Sequence, residues 1–135
     1  MRIILDTNVL VSGLFFTGIP LKILEGIKRG KYLTIVSKDI IDEYKRTIDK
    51  LAAHFPNVVD ASSQLELIVL SSDICQPPKL MRPVCADPDD DKFIACAVAS
   101  KTKIIISGDK DLLNVSGYKD IEVLTPRRFV DKYII

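Results

Sequence analysis

The apolar positions along the chain alternate between short continuous runs rich in β-branched residues and longer stretches of helical period. Arg2–Leu5 carries three consecutive aliphatic residues, the pattern of a strand buried on both faces. Asp6-Thr7-Asn8 follows at once, and Gly13 and Gly18 punctuate what comes next. Pro20 suits the first turn of a helix bearing Leu21, Ile23, Leu24 and Ile27, with Gly30 as its stop. Leu33–Val36 is a second strand. Ser37 can accept an orphan backbone N–H and so cap a helix to about Ala53, with Ile40, Ile41, Tyr44, Ile48 and Leu51 on its apolar side. A further helix is predicted over Val59–Leu70. Pro77, Pro78 and Pro83 lack the N–H a regular element needs, so the segment after Cys75 is an irregular loop. Asp87-Pro88 opens a helix through about Ser100, Lys103–Ser107 and Ile121–Leu124 are strands, and Pro126 starts a terminal helix.

Strands alternating with helices predict one α/β domain over residues 1–135, a central parallel sheet with helices on both faces. Such sheets bind ligands beyond the carboxyl ends of their strands. Asp6 and Asp109 each follow a strand directly, so both are placed at that edge. No apolar run approaches the roughly 18 residues that cross a bilayer. Asp6 also interrupts the N-terminal apolar stretch too early for a signal peptide. The expectation is a cytoplasmic protein that engages no membrane.

Composition narrows the chemistry more than it narrows the fold. Three cysteines, Cys75, Cys85 and Cys96, and one histidine, His54, are too few and too scattered for a disulfide framework or a Cys/His zinc site. Any metal must therefore sit on oxygen. His54 lies near a helix end and is read as a surface or capping residue. Net charge is +1, yet if four of the 18 acids serve one site, the remaining 14 face 19 basic residues. The rest of the surface is then net positive and can hold a polyanion. Lys28, Arg29, Lys31, Arg127 and Arg128 are read as solvated charges, with phosphate contact as the sharper alternative.

The acids carry the chemistry. Asp6 at a strand end is a turn residue or a site residue, with Asn8 as a polar neighbour able to hold the carboxylate or bind a ligand. Glu43 borders the apolar stripe of its helix, whereas Asp39 and Asp42 point further toward solvent. In Asp87-Pro-Asp-Asp-Asp91, Asp87 caps the helix and Asp89 and Asp90 ease its N-terminal dipole. Asp91 falls on the stripe of Ile94, Ala95 and Val98, where an acid is costly unless paired or bound to a metal. In Ser107-Gly-Asp109-Lys-Asp111, Gly108 permits a tight turn that throws Asp109 over the strand end. Asp111 is placed to cap or start a short helical turn through Leu112 and Leu113. Acids converging without basic partners call for cations, and Mg²⁺ or Mn²⁺ prefers such ligands.

Four segments, Ile3-Ile-Leu-Asp6-Thr-Asn8, Ser37-Lys-Asp-Ile-Ile-Asp-Glu43-Tyr44, Asp87-Pro-Asp-Asp-Asp91-Lys-Phe-Ile-Ala95-Cys-Ala97 and Ile106-Ser-Gly-Asp109-Lys-Asp111-Leu112, occur in the order found in PIN-domain nucleases, which the chain resembles over nearly its whole length. The resemblance implies a ribonuclease using one or two Mg²⁺ or Mn²⁺ ions through Asp6, Glu43, Asp91 and Asp109, with Ser107 beside the site. The subgroup most resembled comprises toxins of prokaryotic toxin–antitoxin pairs. It implies RNA as substrate and, as candidate partners, an antitoxin protein and a second copy of the chain; RNA processing or repair are the alternative roles. A bound metal would orient and deprotonate water and shield the phosphate. No histidine pair is available for metal-free acid–base hydrolysis. A haloacid dehalogenase-type phosphohydrolase is disfavoured because Asn8 stands where its second Asp is needed, and the acids do not follow the receiver-domain order. A non-catalytic RNA- or protein-binding module would leave the acidic set unexplained and has few aromatics for stacking.

Overall fold

A computed structural model describes residues 1–55 and 60–133. Five strands form one parallel sheet: β1 (Arg2–Leu5), β2 (Leu33–Ser37), β3 (Asp73–Cys75), β4 (Ile104–Ile106) and β5 (Glu122–Leu124), in the order β3-β2-β1-β4-β5. The registers pair Ile3 with Thr34 and Leu5 with Ile106. Seven α-helices are present among the described residues: α1 (Thr7–Phe15), α2 (Ile19–Lys28), α3 (Lys38–His54), α4 (Ala61–Leu70), α5 (Asp91–Ser100), α6 (Lys110–Leu113) and α7 (Pro126–Tyr133). Ile3, Ile4, Leu5, Ile105 and Ile106 are almost wholly buried, as expected for inner strands of a sheet covered on both faces. The predicted α/β architecture is the observed one.

The strand order reverses between β1 and β4, because the chain leaves β1 toward β2 and returns from β3 to the other side. This is the switch point of an open parallel sheet, and a crevice forms beyond its strand ends.

The boundaries follow local chemistry. Ser37 caps α3 by accepting the Ile40 N–H at 3.3 Å, and Gly30 ends the α2 connection with a φ of 78°. His54 is exposed at the end of α3. The helix predicted over Val59–Leu70 is α4, which begins at Ala61; the proposed start at Val59 falls outside the described residues.

Two elements depart from the sequence expectation. Between the first strand and Gly18 the chain forms α1, although Val9, Val11 and Gly13 are weak helix formers. Tertiary burial overrides propensity here, since Val9, Leu10, Val11, Leu14 and Phe15 all enter the core. Gly13 permits the close approach of α1 and α2: a Cβ there would lie 2.5 Å from Leu24 Cδ1 and 3.0 Å from the Pro20 carbonyl oxygen. The second departure is β3, a three-residue edge strand whose Asp73 and exposed Ile74 give no apolar alternation; its pairing with β2 alone defines it. No single helix among the described residues is long and apolar enough to cross a membrane, and α1 and α2, which together reach that length, are bent by 91°.

Candidate active site at the carboxyl edge of the sheet

Asp6 ends β1 and stands at the N-cap of α1, its carbonyl accepting the Val9 and Leu10 N–H groups. Its carboxylate does not cap. It is turned to Ser107, whose hydroxyl donates to Oδ2 at 2.6 Å, and it is only 5% exposed. The same Ser107 oxygen accepts the Asp109 backbone N–H at 2.9 Å, so one hydroxyl links the ends of β1 and β4. Burial raises the Asp6 carboxyl above its ordinary range; the bonds from Ser107 and the Thr7 backbone oppose this, and the charges of Asp109 and Glu43 add to it.

The Asp87–Asp91 segment begins with Pro88–Asp90 as a 3₁₀ turn, which Asp87 caps by accepting the Asp89 N–H at 3.0 Å. Asp90, the last residue of this turn, has the carboxylates of Asp109, Asp6 and Asp87 around it. Its Oδ2 is buried and has no hydrogen-bond partner among the described residues. Burial first, then the carboxylates of Asp109, Asp6 and Asp87, push the Asp90 carboxyl up to about 8. One carboxylate oxygen each from Asp87, Asp90 and Asp111 also lie within 4.8 Å of one another.

Asp91 is not brought to this cluster. Its carboxylate accepts the Cys85 N–H at 2.7 Å and the Val84 N–H at 3.2 Å, which fastens the proline-containing loop to the start of α5. The expectation of Asp91 as a metal ligand on the sheet-facing stripe is corrected by what covers that stripe. Ala95 and Val98 are half-buried and line a cavity with Leu80, Pro83 and Val84, while Phe93, Ile94, Cys96 and Ala97 form the buried face of α5, so Asp91 meets the loop. Asp109 keeps its expected place at the strand end and also takes the cap expected of Asp111. Asp109 is the N-cap, its Oδ1 accepting the Asp111 N–H at 3.1 Å, and the Asp111 carboxylate is left toward Asp87 and Asp90. An Asp reaches the N–H two residues ahead of it, so the earlier of the two acids takes the cap. Gly108 does not use positive φ; the Ser107 hydroxyl shapes this turn instead.

Glu43 projects from α3 with both oxygens engaged. Thr7 donates its hydroxyl to Oε2, and Lys92 places its ammonium 2.6 Å from Oε1 and 3.1 Å from Asp89 Oδ1. Burial works against the Lys92 charge, but the Glu43 and Asp89 carboxylates outweigh it and hold its pKa above the ordinary value. Beneath the site the buried Tyr44 hydroxyl donates to the Leu5 carbonyl, tying α3 to β1. Asn8 is exposed on α1, and no hydrogen bond from it to the acids is present among the described residues.

Residues 2–111 match the PIN domain. The chain belongs to the PIN-domain family. Uncharacterized protein MJ1680 of Methanocaldococcus jannaschii is 32% identical to it, in an alignment covering 98% of this chain and 92% of that protein. PIN domains are generally nucleases that use divalent metal, and the acidic cluster is compatible with one. The structure brings Asp6, Asp109 and Ser107 of this PIN domain together, sets Glu43 beside them, and adds Asp90, Asp87, Thr7 and Lys92, which sequence reasoning left out. Their signals were faint. Asp-Pro at a helix start predisposes to a tight first turn, and Lys92 stands three residues after Asp89, within ion-pair reach on a helix. A cavity of about 380 Å³ lies between the proline-containing loop and the start of α5, with Ser37, Asp39, Asp89, Asp91 and Lys92 in its wall. A wider one of about 760 Å³ runs along the outer face of α5, with Lys79, Arg82, Tyr118 and Lys119 among its lining residues.

Proposed function

We propose that this PIN domain is a ribonuclease that hydrolyses RNA phosphodiester bonds with Mg²⁺ or Mn²⁺ bound at the carboxyl edge of the sheet. The observation that carries this is the buried, unpartnered Asp90 Oδ2 facing Asp109 and Asp6. Buried carboxylates gathered without a basic partner are costly, and a hard divalent cation on oxygen ligands relieves that cost. Asp6, Asp90 and Asp109 are the residues that would hold the ion, with Glu43 beside them and Asp87 and Asp111 each within 4.8 Å of Asp90 through one carboxylate oxygen. When bound, such an ion supplies Lewis acidity and charge shielding for attack of water on phosphorus. Ser107 fixes the direction of the Asp6 carboxylate and the turn that carries Asp109. A carboxylate of the set takes the proton of the attacking water as its oxygen bonds to phosphorus and the bond to the leaving oxygen breaks. Lys79, Arg82 and Lys119, around the wider cavity beside Tyr118, offer phosphate contact and one stacking surface to an RNA strand.

Cleavage of a labelled single-stranded RNA in millimolar Mn²⁺ tests the proposal. Wild type should cleave, EDTA should stop it, and Asp6→Asn and Asp90→Asn should each lower the rate by about 100-fold or more. Undiminished cleavage in EDTA or by both variants refutes it. The motif resemblance extends the proposal to a toxin acting in the cytoplasm and restrained by an antitoxin; native purification that repeatedly yields the chain without a bound partner counts against that extension.

A further inference from the structure

Lys92 is unlike a surface lysine. Its side chain is 12% exposed, and its ammonium bridges Glu43 of α3 and Asp89 of the 3₁₀ turn before α5. Burying an ammonium is costly, and these two carboxylates offset the cost by holding it in one place. With Thr7 on its other oxygen, Glu43 has no free carboxylate oxygen, whereas Asp90 keeps one buried oxygen without a partner. The acids thus divide into two sides. On one, Glu43 and Asp89 share a fixed internal cation. On the other, Ser107 links Asp6 to Asp109, Asp90 lies within 4.8 Å of Asp87 and Asp111 through one carboxylate oxygen each, and no ion pair reaches these acids among the described residues. Two-ion nuclease sites set their metals about 3.5–4 Å apart between shared carboxylates. Here the carboxylates that a second ion would share are already compensated by a charge tethered to a helix.

We propose that Lys92 is a positioning residue whose ammonium occupies the place of a second cation, so that this PIN domain binds a single divalent ion on the Asp6–Asp90–Asp109 side while Glu43 acts from outside its ligand shell. The inference rests on the metal site proposed above and assigns its stoichiometry. Calorimetric titration of the whole chain with Mn²⁺ tests it without RNA. Wild type and Lys92→Arg should each bind one ion, and Lys92→Met should bind a second, weaker one at the vacated Glu43 and Asp89. In single-turnover cleavage, Lys92→Met should lose about 10–100-fold in rate, as expected when a group orienting the site is removed, and Lys92→Arg should recover most of it. Two ions in wild type, or one ion and an unchanged rate in Lys92→Met, overturn the inference. Glu43→Gln keeps the test open should Lys92→Met fail to fold: its single ion should bind nearly as in wild type, and an affinity loss of about tenfold or more makes Glu43 a direct ligand and overturns the assignment. Wild type that binds no Mn²⁺ refutes instead the metal-dependent function on which the inference rests.

Discussion

Asp90 and Asp91 are adjacent in the chain, and their replacement by asparagine should move the stability of the metal-free protein in opposite directions. Asp91 accepts two backbone N–H groups, at 2.7 Å from Cys85 and 3.2 Å from Val84. Asn keeps one acceptor oxygen but turns its amide N–H₂ toward the other donor. One charge-assisted bond is lost and the remaining one becomes neutral, a cost of about 2 kcal/mol. Asp90 holds no such bond and is destabilised by its surroundings. Its carboxyl stands at about 8 in the fold against 3.8 ordinarily. Unscreened, bringing such a group from 3.8 to pH 7 would cost about 4 kcal/mol. Because the side chain is only partly buried, water relieves much of this, and a gain of about 1–2 kcal/mol is expected from Asp90→Asn. For 135 residues the unfolding entropy is about 0.28 kcal/mol/K, so Asp91→Asn should lower Tm by about 7 °C and Asp90→Asn raise it by about 4–7 °C. Thermal unfolding in EDTA at pH 7 measures both. Added Mn²⁺ should raise Tm for wild type and Asp91→Asn and do little for Asp90→Asn. If Asp90→Asn is the destabilised variant, or responds to Mn²⁺ as wild type does, the exchange of roles between these neighbours is wrong.

Other consequences follow from the same geometry. The raised Asp90 and Asp6 carboxyls bind protons more tightly folded than unfolded, so metal-free stability should be highest near pH 4 and fall as pH rises toward 8; a Tm–pH series in EDTA should show this slope, and Asp90→Asn should flatten it. Ser107→Ala removes the donor to Asp6 and leaves the Asp109 N–H without its acceptor, which should cost about 1–3 kcal/mol and weaken Mn²⁺ binding, read by denaturant unfolding and calorimetry. Gly13→Ala should cost about 1–3 kcal/mol in the same unfolding assay, since its Cβ would meet Leu24 and the Pro20 carbonyl. Burial first pushes the Cys85 and Cys96 thiols up to about 12 while Cys75 is half-buried, so mass spectrometry after iodoacetamide should find Cys75 labelled first and the other two only on unfolding.

What the sequence determined by itself was whatever depends on neighbours along the chain. Aliphatic runs at Ile3–Leu5 and Ile104–Ile106, the Ser37 cap and the Gly30 stop all act over a few residues, so strand–helix alternation and the parallel sheet were legible. A parallel sheet in turn places whatever follows its strands at one edge, which is why Asp6 and Asp109 could be paired across a hundred residues. Tertiary structure decided what depends on contacts between distant segments. Burial made a helix of Thr7–Phe15 against its propensity, and pairing with β2 made a strand of Asp73–Cys75. The helical wheel put Asp91 on a stripe with Ala95 and Val98, but the loop around Val84 and Cys85 packs on that side and takes its carboxylate, while Asp90 keeps a buried oxygen without a partner. Lys92 and Thr7 reach Glu43 from 49 and 36 positions away, and no local pattern announces either contact. A carboxylate's role depends on which donors and charges surround it, and here those arrive from several segments at once.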